Sequence, residues 1–380
     1  MGLSFAGSPR SSVGIEWELQ CVDSATGDLS PAAPQILADL ASDDSAFPHA
    51  TGEFLTNTVE LVSAPHDRVA DAVADLARES RAAADAARGH GVDLMCAGTH
   101  PFALWQHQEV TPDKERYQTL LDRTQYWGRQ LLIWGVHMHV GIDRRERVLP
   151  ILNSLLTYYP HFQALSASSP FWTGIDTGYA SNRALMFQQL PTAGLPPQLG
   201  AWEEYERIVD DLLHVGVIDH FSELRWDLRP SPKWGTIEIR FCDGLSTLRE
   251  VGALTALAQC LIEEAEQTLD AGGEVDNMQP WFVRENKWRG ARYGLDAIVI
   301  VNRAGDERLV TEHLAETLER LKPIAERLDC AGELADVQLI LDRGASYQRQ
   351  RRIAEAHGGD TRAVVAGLAA EFATGEPSTI

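Results

Sequence analysis

The stretch Ser12-Val13-Gly14-Ile15-Glu16-Trp17-Glu18-Leu19-Gln20 alternates apolar and polar residues without a break. Val13, Ile15, Trp17 and Leu19 fall on one side, and Gly14, Glu16, Glu18 and Gln20 on the other. Successive side chains of a strand point to opposite faces, so this period of two predicts a strand over 13–21 with one face buried. The other face carries two carboxylates two residues apart, which repel unless a cation sits between them. Taken alone, the pair reads as an ordinary solvated face.

The same grammar recurs further along. "GVHMHVGID" over 135–143 places His137 and His139 on one side of a short strand. Strand candidates at 223–230 and 235–243 carry Asp227-x-Arg229 and Glu238-x-Arg240. A strand over 51–63 sets Glu60 between Val59 and Leu61, with Glu53 seven residues earlier. These groups are rich in Glu, His and Arg and poor in Lys, Ser and Thr, which shifts the balance from wet surfaces to one shared site. Carboxylates crowded on a common sheet face need cations. Oxygen donors with few or no thiolates suit Mg²⁺ or Mn²⁺. Arg183, Arg229 and Arg240 suit phosphate or carboxylate, which guanidinium grips with two parallel hydrogen bonds. Carboxylates, a divalent metal and arginines together describe a phosphoryl-transfer site.

Two other readings stay open. His-x-His also serves zinc amidohydrolases and peptidases, although the remaining histidines are dispersed and no HExxH occurs. The same cluster could also belong to a non-catalytic nucleotide-binding regulator. No Walker A, Rossmann GxGxxG or GxSxG elbow is present, so a nucleotide site must be of another kind.

Helical periodicity predicts helices over 66–90, the second half of 103–130, 144–168, 201–214 and 247–270, and a mostly helical 280–372. "GVDLMCAGTHPF" (91–102) reads as a buried strand entering a loop, and 169–200, rich in Ser, Gly, Pro and aromatics, as an ordered functional loop. No linker or fixed-period repeat interrupts this order. One α+β domain over 1–380 is therefore expected, its sheet cupping a site, with 371–380 as a frayed tail.

The formal charge of −22 excludes a nucleic-acid or anionic-membrane partner surface, since both need basic patches. No run approaches the roughly 18 apolar residues of a membrane span. The first ten residues lack the pattern of a secretory signal, and the five scattered cysteines fit reduced thiols, so a cytoplasmic location is expected.

"GIEWELQ", "TVELVSAP", "GTHPF", "GVHMHVGID", "SNRALMFQQLP", "WDLRPSPKWGTIEIRFCD" and "ENKWRGARYGLDA", in that order from about residue 12 to 355, resemble glutamate–cysteine ligase family 2, the carboxylate–amine ligases. The resemblance implies a glutamine synthetase-like fold, with a curved, mainly antiparallel sheet forming a funnel and helices outside. It implies ATP and two or three Mg²⁺ on the concave face. It also implies phosphorylation of a side-chain carboxylate such as that of L-glutamate, followed by attack of an amine such as that of L-cysteine. Carried over by position, Glu16, Glu18, Glu53, Glu60 and Glu238 match metal-binding carboxylates. His137 matches a histidine near metal or phosphates, Arg240 the group facing the transferred phosphoryl, and Arg183 a holder of the substrate α-carboxylate or phosphate. Arg229, Asp227 and His139 are expected in the nucleotide site, with Asp243 in it or just behind it. Asn286, Trp288 and Arg292 recur as a motif without an assigned role. Related enzymes imply a homodimer or larger homo-oligomer.

Overall fold

The computed structural model describes residues 3–42, 49–112 and 114–379. Its first half runs β1 (Val13–Asp23), α1 (Ala33–Ser42), β2 (Ala50–Gly52), β3 (Thr58–Val62), α2 (Val69–Gly89), β4 (Val92–Met95), α3 (Glu115–Thr124), α4 (Tyr126–Arg129), β5 (Val136–Gly141), α5 (Arg145–Leu155) and α6 (Tyr159–Ser166). A small hairpin, β6 (Phe171–Trp172) and β7 (Ile175–Asp176), precedes α7 (Arg183–Phe187), α8 (Trp202–His214), β8 (Leu228–Ser231), β9 (Thr236–Ile239) and α9 (Leu248–Asp270). The chain closes with α10 (Pro280–Tyr293), β10 (Ile298–Ile300), β11 (Glu307–Leu309), α11 (Val310–Arg327), α12 (Ala331–Arg343), α13 (Ser346–Ala356) and α14 (Thr361–Thr374).

The main sheet has the order β2-β3-β1-β5-β9-β8, with β4 also pairing β1, and every ladder in it is antiparallel. The expected α+β architecture, an antiparallel sheet backed by helices, is thus what the chain forms. Alternation decides which face meets the helices. Val13, Ile15, Trp17 and Leu19 of β1, Val136, Met138 and Val140 of β5, and Ile237 and Ile239 of β9 are all buried. They pack with α2, α5 and α9, whose own apolar stripes close one large core. Each such side chain withdrawn from water contributes about 1.5–3 kcal/mol. Trp17 is anchored further by its indole N–H, which donates to the Leu245 carbonyl (3.0 Å).

Several elements differ from expectation, each for a local reason. The strand expected over 51–63 is two strands, because residues between them pair elsewhere: the Thr56 N–H donates to the Glu109 carbonyl (3.0 Å) and the Thr111 N–H to that of Phe54 (2.9 Å). The helix expected over 144–168 breaks into α5, a 3₁₀ turn at Leu156–Tyr158 and α6, where Pro160, which has no N–H to donate, opens the new helix. The strand expected over 223–230 begins only at Leu228, since Phe221–Glu223 form a 3₁₀ turn capped by His220. The β10–β11 hairpin interrupts the C-terminal helices.

The frayed tail expected over 371–380 is, through Thr374, the last turn of α14. Buried Glu371 accepts from Arg349 Nε (2.8 Å), and Arg349 Nη2 pairs with Glu250 (2.8 Å). The Ser378 N–H donates to Glu371 (2.8 Å), and Glu376 pairs with Arg249 (2.9 Å); Ile380 lies outside the described residues. All five cysteines are free and buried. Among the described residues no helix is long and apolar enough to cross a membrane.

Candidate active site

The polar face of the sheet carries a registered row of charged side chains. Glu18 lies opposite Glu60 across β1 and β3, and Glu16 opposite His137 across β1 and β5. His139 faces Glu238 across β5 and β9, and Glu238 faces Arg229 across β9 and β8. Cross-strand partners stand about 4.5–5.5 Å apart at Cβ, so side chains from five strands become one continuous row. A cleft of about 810 Å³ opens over Glu16, Glu18, Glu60, His137 and Arg229 of this row, and His139 and Glu238 lie behind its lining.

The acidic side of this cleft is formed by Glu16, Glu18, Glu53 and Glu60. Glu16 accepts from His137 Nδ1 (2.8 Å) and lies 3.3 Å from His139 Nε2. Burial disfavours its charge, but these two hydrogen bonds outweigh burial and hold its carboxyl well below the usual range. Burial, with the charge of Arg240, pushes the His137 imidazole down, while Glu238 and Glu16 overcome burial to raise His139. The other carboxyls move the opposite way. Burial raises Glu18, only partly offset by Arg183 and the Gly135 N–H; burial and the neighbouring Glu18 raise Glu53. Glu60 stands well above the usual range because of burial and repulsion from Glu53, Glu16 and Glu18. Among the described residues Glu60 has no hydrogen bond or ion pair, whereas Glu53 meets Tyr117 (3.3 Å) and Arg116 (3.7 Å). Ligand atoms of Glu16, Glu60 and His137 lie within 4.8 Å of one another, as do those of Glu16, His139 and Glu238. Crowded hard oxygen donors, one of them, Glu60, without a counter-ion among the described residues, are the donor set that suits a divalent cation such as Mg²⁺.

The basic side is built differently. Buried Glu238 pairs with Arg229 (2.7 Å) and with Arg240, and these guanidiniums overcome burial to hold its carboxyl below the usual range. Arg229 makes four hydrogen bonds in all, its remaining nitrogens donating to Glu238 (3.2 Å) and to the carbonyls of Leu224 and Ser222. Arg183 donates to the carbonyls of Phe241 (3.2 Å) and Arg240 (3.3 Å). The Nε atoms of Arg183 and Arg240 are buried without a protein partner. Gly135 makes room for this: a Cβ there would lie 2.3 Å from Arg183 Nη2.

Asp227 and Asp243 stand apart from the cleft lining. The Asp227 carboxylate is taken by Lys287 Nζ (2.6 Å) and the Tyr159 hydroxyl (3.2 Å), because the chain turns before β8 begins. Asp243 accepts from the Ser168 N–H (3.0 Å) and the hydroxyls of Ser169 (2.6 Å) and Ser181 (2.8 Å). Ser169 Oγ in turn accepts the Arg183 N–H (3.0 Å), so Asp243 sets where α7 starts. Asn286 clasps Ile300 through both backbone groups (2.7 and 2.9 Å), Arg292 donates to the Gly178 carbonyl, and Trp288 is exposed. Cleft residues not singled out from sequence include Arg116, Tyr117, Trp134 and Arg225. Arg225 shared the i, i+2 spacing with Asp227 and Arg229; nothing local marked the others.

Fold and site together describe a carboxylate–amine ligase scaffold. The family model for glutamate–cysteine ligase family 2 matches residues 12–367, and the chain belongs to that family. It is 62% identical over 375 residues to a protein of Clavibacter michiganensis subsp. michiganensis (strain NCPPB 382) provisionally named glutamate–cysteine ligase 2, covering 99% of this chain and 98% of that one. A similarly named protein of Mycobacterium tuberculosis (strain ATCC 25177 / H37Ra) is 55% identical over 370 residues, covering 97% of each. Among solved structures, glutamate–cysteine ligase of Francisella tularensis in complex with AMP shares the fold with a TM-score of 0.70 at 13% identity, over 95% of this chain and 88% of that one. A bifunctional glutathione synthetase of Pasteurella multocida gives 0.66 at 16% identity, over 96% of this chain and 52% of that one.

Proposed function

We propose that the protein joins the γ-carboxylate of L-glutamate to the amine of L-cysteine at the expense of ATP and with Mg²⁺, through an acyl phosphate. The observation that supports this best is the polarity of one cleft: Glu60, buried without a counter-ion, stands with the partly buried Glu16, Glu18 and Glu53 opposite arginines with free buried Nε donors. Glu16, Glu18, Glu53 and Glu60 would hold the metal, with Glu238 and His139 at the edge of the row. The metal, when bound, neutralises charge building up on the phosphoryl oxygens.

A carboxylate is a poor acyl donor until one of its oxygens can leave as phosphate. In the first step the substrate carboxylate oxygen bonds to the γ-phosphorus of ATP and the bond to ADP breaks. In the second the amine nitrogen bonds to the acyl carbon, phosphate leaves with the C–O electron pair, and the amine gives up a proton. Arg240 supplies positive charge to the transferred phosphoryl, and Arg183 holds the substrate carboxylate in line. His137, kept neutral by burial and Arg240, orients Glu16 through its hydrogen bond. Zinc hydrolysis would leave the unpartnered Nε donors of Arg183 and Arg240 without a role.

The test is a screen for ADP release across amino acids singly and in pairs. Glutamate with cysteine is expected to release ADP and phosphate together with the amide. If no acid–amine pair raises ADP release above background, the reading fails.

A further inference from the structure

Arg225 is a cation of the cleft that the protein leaves open. It lies half-buried in the cleft wall, between the 3₁₀ turn at Phe221–Glu223 and β8. Its Nη1 donates to the Glu223 carbonyl (3.2 Å); among the described residues Nε and Nη2 donate to nothing. The carboxylate whose charge acts on it, Glu223, is already used. Glu223 accepts the N–H groups of Asp219 (2.8 Å) and His220 (3.1 Å) and pairs with Arg123 (3.1 Å). Glu238 is shared between Arg229 and Arg240. Arg225 therefore lies in the field of three other guanidiniums, those of Arg240, Arg229 and Arg123, with Glu223 the carboxylate whose charge acts on it, in a chain where acids outnumber bases 55 to 33. Burial and the charges of Arg240 and Arg229 push the Arg225 guanidinium below its usual range, so its charge is held at a cost. An oxyanion placed there would relieve that cost and take the fork of donors that Arg229, with four of its five N–H groups donated to the protein, does not offer.

We propose that Arg225 is an oxyanion-binding residue of the cleft, gripping a carboxylate or phosphate group of a bound substrate. The existence of this subsite stands on the geometry alone; the identity of its substrate rests on the ligase reading.

Calorimetric titration of the wild type, Arg225→Gln and Arg225→Lys with metal-free inorganic pyrophosphate tests the subsite itself. Pyrophosphate is expected to bind Arg225→Gln roughly 10–100-fold more weakly than wild type, as losing a charge-assisted hydrogen-bond pair implies, and Arg225→Lys to recover part of the loss. Further titrations with a magnesium complex of a non-hydrolysable ATP analogue, L-glutamate, L-cysteine and cysteamine assign the source. A loss confined to the nucleotide supports a phosphate ligand. A loss confined to glutamate, or to cysteine while cysteamine is unaffected, supports a carboxylate. If Arg225→Gln, folded with an unchanged Tm, binds pyrophosphate and every substrate within twofold of wild type, the proposal is overturned. Should Arg225→Gln not fold, Arg225→Lys decides: tighter or equal binding throughout overturns it. A weakened pyrophosphate affinity beside no ADP release from any acid–amine pair would leave the subsite standing and remove the ligase reading.

Discussion

The two sides of the cleft solve opposite electrostatic problems. On the basic side the protein supplies its own counter-ion, since Glu238 ties Arg229 and Arg240 together. On the acidic side it supplies none for Glu60, whose carboxyl burial and three neighbouring glutamates push well above the usual range. A wall that carries its counter-ion holds its shape without a ligand. A wall that lacks one stays protonated or strained while nothing positive faces it. Equivalent substitutions on the two sides should therefore have different signatures.

The largest effect falls on the basic side. Glu238→Gln leaves two buried guanidiniums without their carboxylate, and removing one partner of a buried ion pair costs about 3–5 kcal/mol. Thermal unfolding should show a marked drop in Tm, and activity should fall with it. An unchanged Tm would mean that Glu238 is no structural counter-ion and that the contrast between the sides is misdrawn.

On the acidic side activity and stability should separate. Glu60→Gln, or equally Glu16→Gln or Glu18→Gln, is expected to lower kcat about 10²–10³-fold, the scale of losing one group that stabilises transition-state charge. The Tm of Glu60→Gln should stay level or rise, because a mutual repulsion has been removed. Mg²⁺ should raise the Tm of the wild type by mass action and that of Glu60→Gln far less. If Mg²⁺ stabilises both proteins equally, Glu60 holds no metal.

These contrasts also explain what could be read from the sequence and what could not. A period of two tells which side chains share a face, so Glu16, Glu18, His137, His139 and Glu238 were all recognisable as neighbours in kind. Register and turns are set by distant contacts. Asp227 kept the spacing of a strand residue, but the chain turns before β8 and Lys287, 60 residues away, takes its carboxylate. Glu371 looked like part of a polar, fraying end because its partner Arg349 lies 22 residues back, on another helix. Arg116 and Tyr117 reach the cleft from the side of a helix whose sequence shows no chemistry of its own. Pro160 opens α6, yet Pro150 lies inside α5 and Pro323 inside α11, so proline alone does not mark where this chain breaks a helix.

Gly135 sharpens the comparison at the point where the two sides meet. Its N–H donates to Glu18, and its bare Cα admits Arg183. Gly135→Ala forces the Arg183 guanidinium aside, because the added methyl would sit 2.3 Å from Nη2. The expected result is about a tenfold rise in KM for the carboxylate substrate, the scale of one weakened charge-assisted hydrogen bond, with Mg²⁺ stabilisation retained. Loss of Mg²⁺ stabilisation instead would place Gly135 on the acidic side alone.

The smallest effect comes from a carboxylate that resembles Glu60 in environment but lies outside the cleft. Glu79 on α2 is buried; its Oε2 has no partner, and Arg78 stands 3.9 Å from its Oε1 with Asp75 on the same helix. Burial pushes its carboxyl up to about 7, against about 4.3 in an unfolded chain. Between those values the folded protein keeps a proton that the unfolded chain releases, so stability falls as pH rises from about 4.3 through 7 and the full cost is present above that. Glu79→Gln removes an ionisation rather than a ligand. It should raise stability at pH 8 by about 1 kcal/mol once solvent screening is allowed for, change nothing at pH 4, and leave activity untouched. Melting curves of the two proteins at both pH values, beside one activity measurement, check this. A Glu79 variant that lost activity would show that burying an uncompensated glutamate, wherever it lies in this fold, is a structural habit of the chain, and Glu60 would no longer stand out as a metal ligand.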